Sequence, residues 1–153
     1  MNGWSSRDRD SMQMALAEAK LAAEAGEVPV GAVVRRSGDI LARSQNRTVR
    51  DGDPTAHAEI VALRTAASVA ENHRLTGAEL FVSLEPCPMC VGAMLQARIA
   101  RVVFAAYDER GGAAGSVVDL SDVDAFNHRV EVNGGLMAEE ASALLARFFE
   151  ERR

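Results

Sequence analysis

The sequence predicts an α/β fold with helices on both faces of one sheet. Short apolar, β-branched runs alternate along the chain with segments whose apolar residues recur at helical spacing, and that interleaving builds a sheet covered on two sides. A length of 153 residues suits one domain, expected here to span 1–153, and leaves little room for two separate cores. Hydrophobic residues make up 48% and charged residues 25%, which excludes an intrinsically disordered chain lacking the apolar surface to offset its ordering entropy. No apolar run approaches the roughly 20 residues of a membrane span. The polar N-terminus, Met1 to Asp10, has no signal-peptide core, so a cytoplasmic location without membrane contact is expected.

Met12, Ala15, Leu16, Ala19, Ala22 and Ala23 predict an amphipathic helix from about Ser6 to Ala25, stopped by Gly26. Val28 to Val34 reads as a strand, Ser37-Gly38-Asp39 as a turn, and Ile40-Leu41-Ala42 as the return strand of a hairpin. After the polar loop Asp51 to Pro54, Thr55 opens a helix with Ile60, Val61 and Leu63 among its apolar positions. Leu80 to Leu84 reads as a buried strand, and Pro88 sits in the first turn of a helix Met89 to Gln96, where proline is tolerated. Arg101 to Ala105 is a further strand, and Glu109 to Ser116, with Gly111, Gly112 and Gly115, a loop. Ala138 to Glu151 closes the chain as a helix with Leu144, Leu145, Phe148 and Phe149 on its apolar face.

A formal net charge of −5 argues mildly against nucleic-acid binding. The charge is uneven, however: Arg35, Arg36, Arg43, Arg47 and Arg50 stand in one stretch with Asp39 as the lone acid. That cluster reads either as a solvated hairpin face or, with a polyanionic substrate, as a phosphate contact. Cys87 and Cys90 are the only cysteines, so a disulfide framework is excluded.

His57, in Thr55-Ala56-His57-Ala58-Glu59, and Cys87 and Cys90, in Pro86-Cys87-Pro88-Met89-Cys90, are ligand-type residues at helix openings. Cysteines three apart share a helix face, and a helix N-terminus favours the thiolate. One histidine and two cysteines make a soft set suited to zinc, and three ligands leave one position for water, as in a catalytic site. Glu59 would then be a proton shuttle at that water rather than a fourth ligand. A Cys-x-x-Cys pair at a strand-to-helix junction also fits a thioredoxin-like redox site, which would leave His57 and Glu59 without a task. His73 and His128 are expected at the surface or behind the ligands.

His-x-Glu followed by Pro-Cys-x-x-Cys is the signature of zinc-dependent nucleobase deaminases. With Glu27 to Val33, Asn46-Arg47, Asp53 to Ile60, Leu84 to Cys90, Gly92-Ala93-Met94, Gly112 to Ser116, Asn127 to Val130 and Phe148-Phe149, the chain resembles the bacterial tRNA-specific adenosine deaminases of the cytidine/deoxycytidylate deaminase superfamily along nearly its whole length. The resemblance implies a three-layer α/β/α sandwich with a five-stranded mixed sheet, one Zn²⁺ per subunit, a homodimer, and a tRNA anticodon loop as partner, with no protein partner. Its reaction would convert the wobble adenosine to inosine. By resemblance His57, Cys87 and Cys90 hold zinc and Glu59 moves the proton. Asn46, Val28, Ala58 and Leu84 surround the base, while Asp108, Phe148 and Phe149 meet the RNA. Tyr107 and Glu109-Arg110-Gly111 depart from a more basic loop, and no basic tail follows Arg152-Arg153, so a weaker or more salt-sensitive grip on RNA is expected. Deamination of a free base or nucleoside, such as guanine or cytosine, is the alternative the zinc motif does not separate. A non-catalytic RNA-binding subunit is disfavoured by the intact Glu59.

Overall fold

In a computed structural model describing residues 3–152, the first amphipathic segment forms α1 (Ser6–Glu24). It starts at Ser5 because Ser5 and Asp8 close a capping box, each side chain accepting the other's backbone N–H. The chain then forms β1 (Gly31–Arg36), β2 (Asp39–Gln45), α2 (Ala58–Ala70), β3 (Glu79–Leu84), α3 (Pro88–Ala97), β4 (Arg101–Ala106), β5 (Glu131–Gly134) and α4 (Ala138–Glu150).

The strands make one five-stranded sheet in the order β2-β1-β3-β4-β5. β1 is antiparallel to both β2 and β3, whereas β3, β4 and β5 run parallel. The parallel pair β3–β4 needs a crossover, which α3 supplies. Alternation along the strands decides which helices each face meets. Val34, Leu80, Val82, Val102 and Phe104 join the core built with α2 and α3, while Val33, Phe81, Val103 and Ala105 join the core built with α1 and α4. The α/β/α sandwich with a mixed sheet is therefore as expected.

Two element starts and one whole strand differ from the sequence reading. β1 begins at Gly31 rather than Val28, because Pro29 has no N–H to give and the Val30 N–H turns back onto the Val28 carbonyl (2.8 Å). Gly31 itself is crossed by α1: a Cβ there would lie 2.0 Å from the Ala15 carbonyl oxygen. α2 begins at Ala58 rather than Thr55, because Asp53 draws the Thr55 N–H (2.9 Å) and hydroxyl (2.8 Å) into a turn that delays the helix. The polar tetrapeptide Glu131–Gly134, which no periodicity marks, is the fifth strand, recruited by parallel pairing with β4.

At β3 the sheet changes character, with an antiparallel neighbour on one side and a parallel neighbour on the other. The carboxyl ends of β3 and β4 and the start of β1 meet at one edge, where the Gly31 N–H donates to Ser83 Oγ (3.1 Å). Connections diverge from that edge and leave a crevice, the usual place for a ligand in open α/β sheets.

Candidate active site

Two helix openings face each other across this crevice. His57 is the N-cap of α2, in extended backbone conformation (φ −66°, ψ 153°), and Cys87 is the N-cap of α3 (φ −78°, ψ 173°), with Pro88 as the first helical residue and Cys90 in the first turn. His57 and Cys87 both turn their side chains into the crevice, where they meet each other and Cys90. His57 Nδ1 lies 3.6 Å from Cys87 Sγ and 3.5 Å from Cys90 Sγ, and the three ligand atoms lie within 4.8 Å of one another. Among the described residues this is the group of metal-type donors that comes together; His73 is exposed and His128 is turned to the Ile99 carbonyl (2.8 Å).

The electrostatics of the trio suit a soft cation. The Cys87 thiol is lowered to about 4, first by its hydrogen bond with Cys90 and also by His57. Cys90 is driven up, by that same bond and by burial. His57 is raised through its hydrogen bond with Cys87. A divalent ion would hold both sulfurs as thiolates, the state in which cysteine binds zinc. One nitrogen and two sulfurs at helix N-termini therefore fit zinc, with a coordination position left for water.

Glu59, one residue into α2, is 4% exposed, and burial pushes its carboxyl above the ordinary carboxylate range. The extended backbone at His57 breaks helical spacing there, so His57 and Glu59 reach the same space although they stand only two residues apart. They line a cavity of about 240 Å³ together with Cys87, Val28, Val30, Asn46, Thr48, Leu84, Glu85 and Asp108. Of the residues expected around a base, Asn46, Val28 and Leu84 are thus brought to the metal-type group, and so is Asp108, expected at the RNA backbone. Ala58 is fully buried between His57 and Glu59 and does not line the space. A larger cavity of about 540 Å³ between α1 and α4 is lined by Lys20, Met137 and Arg147 among others and contains none of the His-Cys donors.

Phe148 and Phe149 are not in the crevice. Phe148 is buried under the Arg152 guanidinium (3.6 Å) and meets Phe149 edge-on at 5.4 Å; Phe149 is 50% exposed. Phe148 sits beside Ala23 and Glu24 in the last turn of α1, the helix end that leads to Val28. The arginine cluster dissolves into separate contacts: Arg35 donates to Ser11 Oγ (2.8 Å), Arg43 meets Glu18 (3.3 Å), Arg47 meets Asp51 (3.1 Å) and Arg50 meets Glu27 (3.2 Å).

Two residues were missed as contributors. Glu27, 0% exposed, accepts the N–H groups of Val49 (3.1 Å) and Arg50 (2.7 Å), the Thr48 hydroxyl (3.4 Å) and Arg50 Nε (3.2 Å), and so holds the loop that carries Asn46 and Thr48. Glu85 does the same for the loop after β4. For both, burial works against the charge, and the donors outweigh it, so each carboxyl lies below its ordinary value. A lone glutamate beside a strand carries no signal in the sequence that would have revealed this.

Residues 5–106 match the model of the cytidine and deoxycytidylate deaminase zinc-binding region. The chain is 43% identical over 147 residues to a tRNA-specific adenosine deaminase of Bacillus subtilis, covering 96% of this chain and 91% of that one. It is 46% identical to a tRNA-specific adenosine deaminase of Haemophilus influenzae, covering 95% and 85%. A structure solved in a study of A-to-I editing by tRNA:A34 deaminases at the wobble position of transfer RNA superposes with a TM-score of 0.86 at 43% identity, covering 89% of this chain and 99% of that one. A guanine deaminase from Nitrosomonas europaea superposes with a TM-score of 0.77 at 29% identity, covering 92% and 83%.

Proposed function

The chain belongs to the zinc-binding cytidine and deoxycytidylate deaminase family, and from that premise we propose that it hydrolytically deaminates the wobble adenosine of a tRNA anticodon to inosine, releasing ammonia. The observation that carries the reading is a buried Glu59 beside His57, Cys87 and Cys90 in a cavity whose walls include Asn46 and Asp108. The high identity to tRNA-specific adenosine deaminases over almost the full chain supports RNA as substrate.

His57, Cys87 and Cys90 hold one zinc per subunit. Bound zinc supplies the Lewis acidity that brings a water's pKa toward about 7. Glu59 takes a proton from the water that adds to C6 of the adenine and passes it to N1; it then takes the remaining proton of the added hydroxyl as the C6 carbonyl forms and delivers it to the exocyclic amine, whose bond to C6 breaks. Adenosine and water thus become inosine and ammonia, with one carboxyl serving as base and acid. Its burial keeps competing water away from the carboxyl. Asn46, Val28 and Leu84 position the base and Asp108 meets the RNA beside it; Ala58 backs the step from His57 to Glu59, and the half-exposed Phe149, with Phe148 packed against it, offers a contact to RNA outside the crevice. An anticodon loop gives up a base at lower cost than a duplex, since its bases are already partly unstacked.

Residues 1–153 form one deaminase domain, acting in the cytoplasm as a homodimer. The exposed Val117, Val118 and Phe126 between β4 and β5 offer apolar surface for the second subunit. The likeness to guanine deaminases keeps a free-purine substrate as the second reading. The test is transcribed tRNA with adenosine at the wobble position, read as A-to-G change in cDNA. Conversion by the chain and its loss in Glu59→Ala are expected; a zinc-loaded protein that leaves the tRNA unchanged and converts guanine would reverse the two readings.

A further inference from the structure

The segment from Asp108 to Ser116 has no helix or strand, and yet it is gathered onto one side chain. Glu85, between the end of β3 and the Pro86-Cys87 step, is 2% exposed. Its Oε1 accepts the Asp108 N–H (3.0 Å) and the Ser116 hydroxyl. Its Oε2 accepts the N–H groups of Ala114 (3.1 Å) and Ser116 (3.0 Å). Gly112 closes over the carboxyl from the far side: a Cβ there would lie 2.3 Å from Glu85 Cδ, so only glycine leaves room. Asp108 is also fixed by its own turn, its Oδ1 accepting the N–H groups of Arg110 (3.0 Å) and Gly111 (3.1 Å) and its carbonyl that of Gly112 (2.9 Å).

We propose that Glu85 is a positioning residue for the substrate: it holds Asp108 and the 108–116 segment in one arrangement at the cavity wall, so that the strand flanking the flipped base meets a preformed surface. The RNA reading above supplies the substrate, whereas the ordering of the segment stands on the geometry alone. Gly111, Gly112 and Gly115 make this stretch entropically expensive to fix. Without an anchor, that ordering would have to accompany every binding event. A carboxylate is the right anchor because each oxygen accepts several bonds and its charge strengthens them. Glutamine has nearly the same shape but replaces one accepting oxygen by an NH₂ that faces N–H groups.

The test compares zinc-loaded wild type with Glu85→Gln and Gly112→Ala, using an anticodon stem-loop with adenosine at the wobble position and amide hydrogen exchange at residues 108, 114 and 116. Exchange at these amides is expected to rise at least tenfold in Glu85→Gln. KM should rise at least tenfold while kcat falls no more than threefold. Gly112→Ala, which keeps the carboxylate but forces it or the segment to shift, should move KM the same way. Faster exchange with an unmoved KM would overturn the role in substrate positioning. A hundredfold loss of kcat at constant KM would make Glu85 part of the chemistry, and loss of zinc from both variants would reduce it to a residue of the fold. A wild type that leaves the stem-loop unconverted would remove the RNA reading only; the exchange rates would still decide whether Glu85 orders the segment, and unchanged rates would sink it.

Discussion

Glu59 and Glu85 line the same cavity and are about equally hidden, at 4% and 2% exposure, but their surroundings differ in kind. Glu85 is met by three backbone N–H groups, from Asp108, Ala114 and Ser116, and by a hydroxyl, and it stays charged. Glu59 has its own N–H and the Cys90 side chain as donors, and burial carries its carboxyl upward. Glu27 repeats the Glu85 pattern on the opposite wall. Burial is therefore shared by all three, and the supply of donors separates the carboxylates that build from the one proposed to react.

The sharpest way to break this contrast is substitution by glutamine. Glu59→Gln should lower turnover by about 10²–10⁴, the usual contribution of a positioned general acid–base. It should keep its zinc and its thermal midpoint, because the side chain holds no loop in place. A drop in melting temperature with loss of zinc, measured by calorimetry and elemental analysis, would make Glu59 a builder too.

Glu27→Gln should behave in the opposite way, costing about 2–3 kcal/mol in urea denaturation. It leaves the Val49 and Arg50 N–H groups and the Arg50 guanidinium short of an acceptor. A stability within 0.5 kcal/mol of wild type, on the order of an ordinary surface change, would show that the loop holds itself.

A smaller effect follows with pH. Glu27 has a folded proton affinity below its ordinary value of 4.5, because the Arg50 and Val49 N–H groups and the Arg50 guanidinium outweigh its burial. Its contribution to stability is complete above that value and is lost as pH falls through the depressed folded one. The gap in stability between wild type and Glu27→Gln should thus be constant from pH 7 to 5 and close below about pH 4. A gap that instead widened in acid would contradict the assigned direction. Smallest of all should be Arg47→Ala: this exposed guanidinium is already paired with Asp51, so RNA affinity should change less than threefold. A salt slope reduced by about one would return Arg47 to the phosphate contacts.

The core of the site was legible in the sequence because its chemistry needs particular residues at particular spacings. His57, Glu59, Cys87 and Cys90 could be read as one group before any geometry was known; the structure brings His57, Glu59 and Cys87 to one cavity and Cys90 into the donor group behind it. The helices and the longer strands were legible for a different reason, since Met12, Leu16, Phe81 and Val103 keep the period of their elements. β5 was not, because Glu131–Gly134 has a single branched apolar residue and owes its conformation to β4. The arginine cluster misled in the other direction: adjacency in sequence suggested one solvated face, but Arg35 and Arg43 are taken up by Ser11 and Glu18 of α1, while the turn after β2 sends Arg50 to Glu27. Glu27 and Glu85 were invisible as anchors because what they bind is backbone, which every sequence has.

α2 and α3 begin at His57 and Cys87, whose side chains turn to each other across the crevice and are not among the usual capping residues. A serine or aspartate in either place would steady the helix by about 1 kcal/mol. An ion gripped by these two residues would knot both helix starts together across the thirty residues of chain between them. The layer that roofs one side of the sheet would then draw part of its rigidity from solution, strengthening with the logarithm of free metal concentration once that exceeds the dissociation constant. Metal scarcity would accordingly loosen two helices at once, before it touched the rest of the sandwich.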